Sequence, residues 1–391
     1  MDSISGTNIP SSATAQSSDM VTIRLAGSSI SGWERVRITR GVERMPSDFE
    51  IEVSERYPSA SGNVVIEAGA PIEVWIGSDK VLTGYVDRYA PSISAQGHSV
   101  YITGRGKCQD LVDCAAIWPS NQIVHASAVD IARKLAAVYG ITVSAYSGNG
   151  ATVEQLNINL GETSWDIIER VTRYSGLLAY ESVDGNLIMG NVSATKMASG
   201  VAQGVNVQAA SAVFSVDQRF SEYRAVMFSF DRFSDIGTGG NTVTVVKDIT
   251  LPAGFGGKPR FRPHYVVSEQ IQNGVNLADA RAKWEKARRY GQSSAVRVTV
   301  DSWRDASGAL WEPNALVSID IPACKVTGKS WLIASVTFSK DVSQGTVAVL
   351  ELTPPDAFNP QPTFINTLAW DIGRDLAKPN NAPVPAGGGA P

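Results

Sequence analysis

The sequence predicts an α+β, β-rich fold: two similar antiparallel β-barrel domains, an internal duplication, with an inserted α/β module and disordered termini. Three observations lead there. Apolar and polar residues alternate with period two through 20–106 and again through 206–236 and 291–357. Between 107 and 205 the spacing of apolar residues changes to three and four, the helical period. Finally, two distant stretches, 70–78 and 315–323, match in pattern and in the order of the features that follow them.

In chain order, residues 1–19 are dominated by Ser, Thr, Ala and Asn, which predicts a disordered tail. The first barrel, 20–106, rests on alternating runs at 21–25, 49–53, 72–76 and 100–102, with Gln96-Gly97 as a hairpin tip. In the α/β module, 107–205, helices are predicted at 110–118, 127–139 and 164–175, and Gly140 stops the second of them. A strand at 177–180, a turn at Asp184-Gly185 and a strand at 187–189 complete it as a hairpin. The second barrel is split: 206–236 supplies runs at 214–216 and 225–230, and 291–357 supplies the rest. Between them lies an excursion, 237–290, that opens on a Gly-rich loop and ends in a helix at 277–290. A C-terminal extension, 358–391, turns Pro-, Gly- and Ala-rich from about 379, where disorder is predicted.

The duplication is read from the order of features. Each copy runs strand, Gln-Gly tip, strand, with Gln96-Gly97 in the first and Gln344-Gly345 in the second. The stretches upstream also compare, 38–44 leading to 49–53 and 216–222 leading to 227–230.

Composition narrows the function classes. A chain of 391 residues suits two or three domains. Apolar residues at 43% can build real cores, while charged residues at 18% fall below the usual ~25%, so uncharged surface is expected to meet partners. With 34 basic and 38 acidic residues the net charge is −4, which disfavours a dedicated nucleic-acid binder. Cys108, Cys114 and Cys324 are odd in number and lack metal or disulfide spacing, and read as reduced, structural thiols. Residues 1–19 carry no Lys or Arg and no apolar core, and no apolar run approaches a bilayer span, so neither a secretion signal nor a spanning helix is expected.

Candidate chemistry is sparse. His98 follows the hairpin tip and His125 precedes the expected N-cap Ser127, so both read as surface or capping residues. His264 falls in a basic-aromatic loop, 258–265, read as solvated or protein-contacting. Gly104-Arg105-Gly106-Lys107 joins a strand to a helix but lacks both the third glycine of a dinucleotide loop and a GK[ST] ending, so it reads as a turn. Glu34, Glu162 and Glu169 have no context that marks a catalytic acid. The helix at 279–290 holds five basic and two acidic residues and reads as a solvated helix packing its Ala280, Trp284 and Ala287 side. No catalytic, cofactor or metal-binding residue is therefore assigned.

Three stretches suggest a family: Tyr101-Ile-Thr-Gly-Arg-Gly-Lys-Cys-Gln-Asp-Leu-Val-Asp113, Leu160-Gly-Glu-Thr-Ser-Trp-Asp-Ile-Ile-Glu-Arg-Val171, and Asp184-Gly-Asn-Leu187. With the domain order, they resemble the baseplate hub proteins of contractile-tailed, Mu-like bacteriophages, and more distantly the N-terminal part of type VI secretion spike proteins. The similarity spans most of 20–357 and departs at Gly106, where the family pattern more often has Asp, which costs a helix-capping carboxylate. The resemblance implies a non-catalytic structural hub without cofactors. It implies a homotrimer whose three chains present six similar barrels to the six-fold tail tube and a three-fold face to the central spike, with a channel for duplex DNA during ejection. The partners implied are further copies of the chain, the central spike, and the tail tube or adjacent baseplate proteins. The place implied is the virion tail baseplate, after synthesis and assembly in the host cytoplasm. Candidate oligomer or partner contacts are the strands carrying Ile72, Val74 and Ile76 and Leu316, Val317 and Ile319, whose edges would need covering, and the helix around Trp284. Two alternatives stand beside this reading. One is a peptidoglycan hydrolase or glycan-binding tail component using a carboxylate-lined cleft in 107–205; the other is a nucleic-acid binder using 258–289.

Overall fold

The computed structural model describes residues 19–25, 28–54, 66–95, 97–227, 242–258, 260–268 and 274–358. The predicted disordered ends, apart from Asp19, lie outside these residues, as do Gln96 and the glycines of 237–240.

The first β region forms β1 (Val21–Leu25), β2 (Ser28–Ile30), β3 (Arg35–Gly41), β4 (Asp48–Ser54), β5 (Pro71–Ile76), β6 (Asp79–Ser94) and β7 (Gly97–Gly106). Alternation does the work expected of it: Ile23, Ile38, Phe49, Ile51, Val74 and Ile102 are all fully buried in one cluster.

The next segment forms α1 (Gln109–Asp113), β8 (Gln122–Ser127), α2 (Ala128–Ala137), β9 (Val143–Ala145), β10 (Thr152–Asn157), α3 (Ser164–Tyr174), β11 (Leu178–Glu181) and β12 (Leu187–Gly190). Its own core gathers Leu111, Ile131, Leu135, Ile167, Val171 and Leu187. α1 is one turn where a helix over 110–118 was expected. Cys114 is extended (φ −105°, ψ 148°) and Ala115 bridges to Thr163, so the chain spends its backbone groups on the loop before α3. Pro119 also disfavours helical geometry at Trp118.

The remaining elements are β13 (Val201–Ala202), β14 (Val207–Phe214), β15 (Glu222–Met227), β16 (Thr242–Lys247), β17 (Pro263–Ser268), α4 (Gly274–Gln292), β18 (Ser294–Val300), β19 (Leu316–Ile321), β20 (Val326–Asp341) and β21 (Gly345–Thr353). Within this region β15 does not join the second half of the main sheet, although the sequence pattern placed 225–230 there. It pairs with β16 and β17 in a separate three-stranded sheet. That sheet is covered by α4, which buries Ala278 and Ala282 against Tyr223 and Ala225. The upstream comparison of 38–53 with 216–230 therefore fails as far as Met227; residues 228–230 lie outside the described residues. The neighbours of β21 and β18 are instead β18 and β14, as those of β7 and β4 are β4 and β3.

Among the described residues the two β regions form one thirteen-stranded sheet, in the order β14-β18-β21-β20-β3-β4-β7-β6-β5-β1-β2, with β19 and β13 branching from β20. Two similar antiparallel β-barrel domains were expected; both halves are antiparallel sheet, and no pairing among the described residues closes either half on itself. The reason lies in β20. Over its sixteen residues it pairs first with β19 and then, through Ser335–Lys340, with β3, so its outer edge is used to join the halves. The side chains of both halves consequently share one core.

Candidate functional site

The seam between the halves is the best-built feature of the molecule. Its ladder runs from Ser335 opposite Gly41 to Lys340 opposite Val36. On the inner face Val36, Ile38, Val336 and Phe338 are fully buried. Trp303 packs edge-on against Phe338, with ring centroids 6.1 Å apart, and its indole N–H donates to the Val347 carbonyl at 2.8 Å. On the outer face the Thr39 and Thr337 hydroxyls lie 3.2 Å apart, and Arg35 crosses to Asp341 at 3.2 Å. Hydrogen bonds from the Ser343 hydroxyl and backbone, with Arg35 beside it, hold the Asp341 carboxyl down at about 2.

Around this seam the same strand order occurs twice. β3-β4-β7-β6-β5 in one half corresponds to β14-β18-β21-β20-β19 in the other, every neighbouring pair antiparallel. The long strands β6 and β20 each have sixteen residues, and each carries an irregularity against its hairpin partner, between Val86 and Arg88 and between Ile333 and Ser335.

The α/β module is locked to the first half by one buried carboxylate. Glu181, at the end of β11, accepts a hydrogen bond from the Ser47 N–H and another from the Cys108 N–H, each 2.8 Å. Burial pushes its carboxyl up, against the opposing pull of those donors. A Cβ added at Gly106 would lie 2.0 Å from a Glu181 oxygen, so this position must be glycine for the carboxylate to dock. The capping group missing from the loop at 104–107 thus arrives from another strand. Arg105 in the same loop is held by Asp87 and Asp113, both at 2.7 Å, so its charge is spent on the fold. A second junction is Asn314, whose amide donates to the Tyr146 and Tyr180 hydroxyls, both at 3.1 Å, while its carbonyl accepts from the Ser193 N–H.

Most of the expected contact residues are core. Ile72, Val74 and Ile76 are buried, and β5 has β1 on one edge and β6 on the other. Val317 and Ile319 are buried in β19 between β13 and β20, and Leu316 packs with Val42, Leu332 and Phe358. Those edges are covered by the chain itself. Trp284 differs: it is half-buried and borders a cleft of about 390 Å³ with Val42, Met45, Trp165, Leu177 and Arg288.

Sequence reasoning missed two stretches of ladder. β14 ends the sheet and, apart from a bridge from Val207 to Gln203, has only β18 beside it, and β6 beyond Val86 has only β7, among the described residues. Apolar side chains stand open on both: Ile93 is 85% exposed, Val213 65% and Phe214 51%. The available signal was a strand pattern with apolar residues at both parities, as in Ala212, Val213 and Phe214.

Several of the remaining polar candidates have structural partners, while the side chain of His98 lies outside the described residues. His125 pairs with Glu154 at 2.7 Å on the exposed face of β8 and β10. His264 lies in β17 stacked 4.5 Å over Phe220, and burial, with Arg289 nearby, lowers its pKa. Arg262 of the basic loop donates to the Val216 and Asp217 carbonyls. Glu162 pairs with Arg170 and Glu169 with Arg173. Among the described residues no three His, Cys, Asp or Glu side chains cluster as metal ligands, and no helix is long and apolar enough to cross a membrane.

Comparison with known proteins agrees with this architecture. Residues 20–106 match the N-terminal domain described for the Mu phage baseplate assembly protein GpP-like family. Residues 108–191 match the second domain of baseplate hub protein gp44-like proteins, and 274–361 the fourth domain of Mu phage baseplate assembly protein GpP. The baseplate hub protein gp44 of Escherichia phage Mu is 27% identical over 353 residues, covering 87% of this chain and 89% of that one. The crystal structure of the 43 kDa tail protein of prophage MuSo2 from Shewanella oneidensis superposes with a TM-score of 0.76 at 30% identity, over 88% of this chain and all of the other. A type VI secretion component of E. coli, c3393, itself described as similar in structure to the T4 tail proteins gp27 and gp5, shares the fold. Its TM-score is 0.54 at 10% identity, over 85% of this chain and 76% of that one. These matches define a structural component of a bacteriophage tail. The chain belongs to the Mu-like phage baseplate hub family, whose place is the virion tail baseplate.

Proposed function

We propose that the chain is a non-catalytic hub that assembles as a homotrimer, adapting a six-fold tail tube to a three-fold central spike and leaving a passage for DNA at ejection. The observation that carries this reading is the recurrence of one five-strand order on both sides of the seam. Two similar halves per chain, repeated three times, offer six quasi-equivalent positions on one face of a ring and a true three-fold on the other. The relation extends to register. Ile72 lies opposite Gly84 and Val317 opposite Trp331, so counting from the two bulges puts Ile72 and Val317 in corresponding places. The low charge content suits surfaces that subunits cover, and the mild negative net charge would keep duplex DNA from adhering in transit. The Trp284 cleft, partly apolar and bordered by Arg288, is the contact we assign to a neighbouring tail protein or the spike. Synthesis and assembly take place in the host cytoplasm on this reading.

Light scattering coupled to gel filtration tests it. A species of three times the 41.6 kDa chain mass, stable on dilution, is the expected result. A 41.6 kDa monomer at all concentrations overturns the self-assembling ring. Clearing of a peptidoglycan suspension by the purified chain would overturn the non-catalytic assignment.

A further inference from the structure

We infer that each copy lays the outer edge of its β14 antiparallel against the outer edge of β6, residues 88–93, on the next copy, in a register set by the chain's own internal seam. The inference rests on the ring reading above and adds the contact that closes it. Matching the irregularity of β6 to that of β20 equates Tyr89 with Val336, Ala90 with Thr337, Pro91 with Phe338, Ser92 with Ser339 and Ile93 with Lys340. Carrying this across β7 and β21 to β4 and β18 equates Glu50 with Arg297. Those residues sit opposite Arg37 in β3 and Ser211 in β14, so Arg37 and Ser211 also correspond.

Inside one chain, β20 at these positions holds β3: Val336 faces Arg40, Thr337 faces Thr39, Phe338 faces Ile38, and Ser339 faces Arg37. Among the described residues the equivalent stretch of β6 has no second neighbour, and the equivalent strand β14 has none beyond the bridge from its first residue, Val207, to Gln203. The two edges lie at different ends of the order, so the contact is head to tail, and in the three-membered ring proposed above each chain satisfies both by meeting two further copies. Copying the seam puts Tyr89 opposite Phe214, Ala90 opposite Val213, Pro91 opposite Ala212, Ser92 opposite Ser211 and Ile93 opposite Ala210.

The side chains fit this register. The inner face becomes Tyr89 with Phe214, Pro91 with Ala212 and Ile93 with Ala210, all apolar, where the internal seam has Phe338 with Ile38. The outer face pairs Ala90 with Val213 and Ser92 with Ser211. Beyond Arg88 at the start of the β6 stretch, neither 89–93 nor 207–214 contains a charged residue, so the paired positions lack the Lys or inward charge with which lone edges avoid pairing. Pro91 removes at most one N–H from the ladder. The exposure of Ile93, Val213 and Phe214 is what burial in such a seam would relieve.

The test is a disulfide trap in the full chain. Ser92 and Ser211 are both exposed, and directly opposed strand residues lie within disulfide range. S92C/S211C, oxidised, should run on a non-reducing gel as a covalent trimer. Each single variant controls for the native cysteines, and these should run as monomers. S92C/A209C, displaced by two residues, should cross-link at least tenfold less. A light-scattering trimer that is not trapped at 92/211, or is trapped equally at 92/209, overturns this pairing and leaves the ring reading standing. A monomer with no cross-link overturns both. An independent measurement uses the outer face: A90K/V213K should reduce the trimer to monomer by like-charge repulsion, and A90E/V213K should restore it. Persistence of the trimer in A90K/V213K overturns the pairing.

Discussion

At Glu181 a single side chain settles how the α/β module meets the sheet. Its two acceptor bonds reach donors 134 and 73 residues away, so nothing in its local sequence announced it. Glu181→Ala leaves two buried N–H groups without partners and should lower stability by about 3 kcal/mol in urea denaturation. The sign of the pH effect follows from burial. A carboxyl whose pKa is higher folded than unfolded gives its stabilisation below its ordinary value, 4.5, and loses it as pH rises through the folded value. The melting temperature of the native chain minus that of Glu181→Gln should therefore fall as pH rises from about 4.5. Gly106 belongs to the same account. Its place in a strand-to-helix turn was legible, but the carboxylate that forbids a side chain there was not, because that group comes from β11.

At the scale of elements, helices α2 and α3 were legible because caps and period coincide. Thr163 and Asp166 form a reciprocal capping box, with both bonds at 3.1 Å, ahead of the buried Ile167, Ile168 and Val171. Thr163→Ala should cost about 1 kcal/mol, read as a shift in urea midpoint with unchanged slope. The first helix was overestimated because apolar spacing over 110–118 says nothing of the bridge from Ala115 to Thr163. β15 was misplaced for a related reason: alternation identifies a strand and leaves open which sheet receives it. Its partners β16 and β17 and its cover α4 lie in the region read as an excursion.

For the whole molecule, the seam between β3 and β20 makes two similar halves one folding unit. Phe338→Ala should cost about 4 kcal/mol from the cavity it leaves in the shared core. Because Phe338 faces Ile38, hydrogen exchange should then accelerate in β4 as well as in β21. If only the second half loses protection, the shared core is not cooperative. The same continuity explains why the edges first singled out, β5 and β19, are covered within the chain, while β14 and the far half of β6 are not.

Local order was written in the chain. Period-two alternation selects strands because one face must be buried, three-to-four spacing selects helices for the same reason, and the likeness of 70–78 to 315–323 falls on β5 and β19, which hold the same place in the strand order. Partner choice was decided only in three dimensions. A strand's backbone groups are identical whichever neighbour they meet, so the pairing of β20 with β3, the docking of Glu181 and the open edges of β14 and the far half of β6 depend on which surfaces the finished fold brings together.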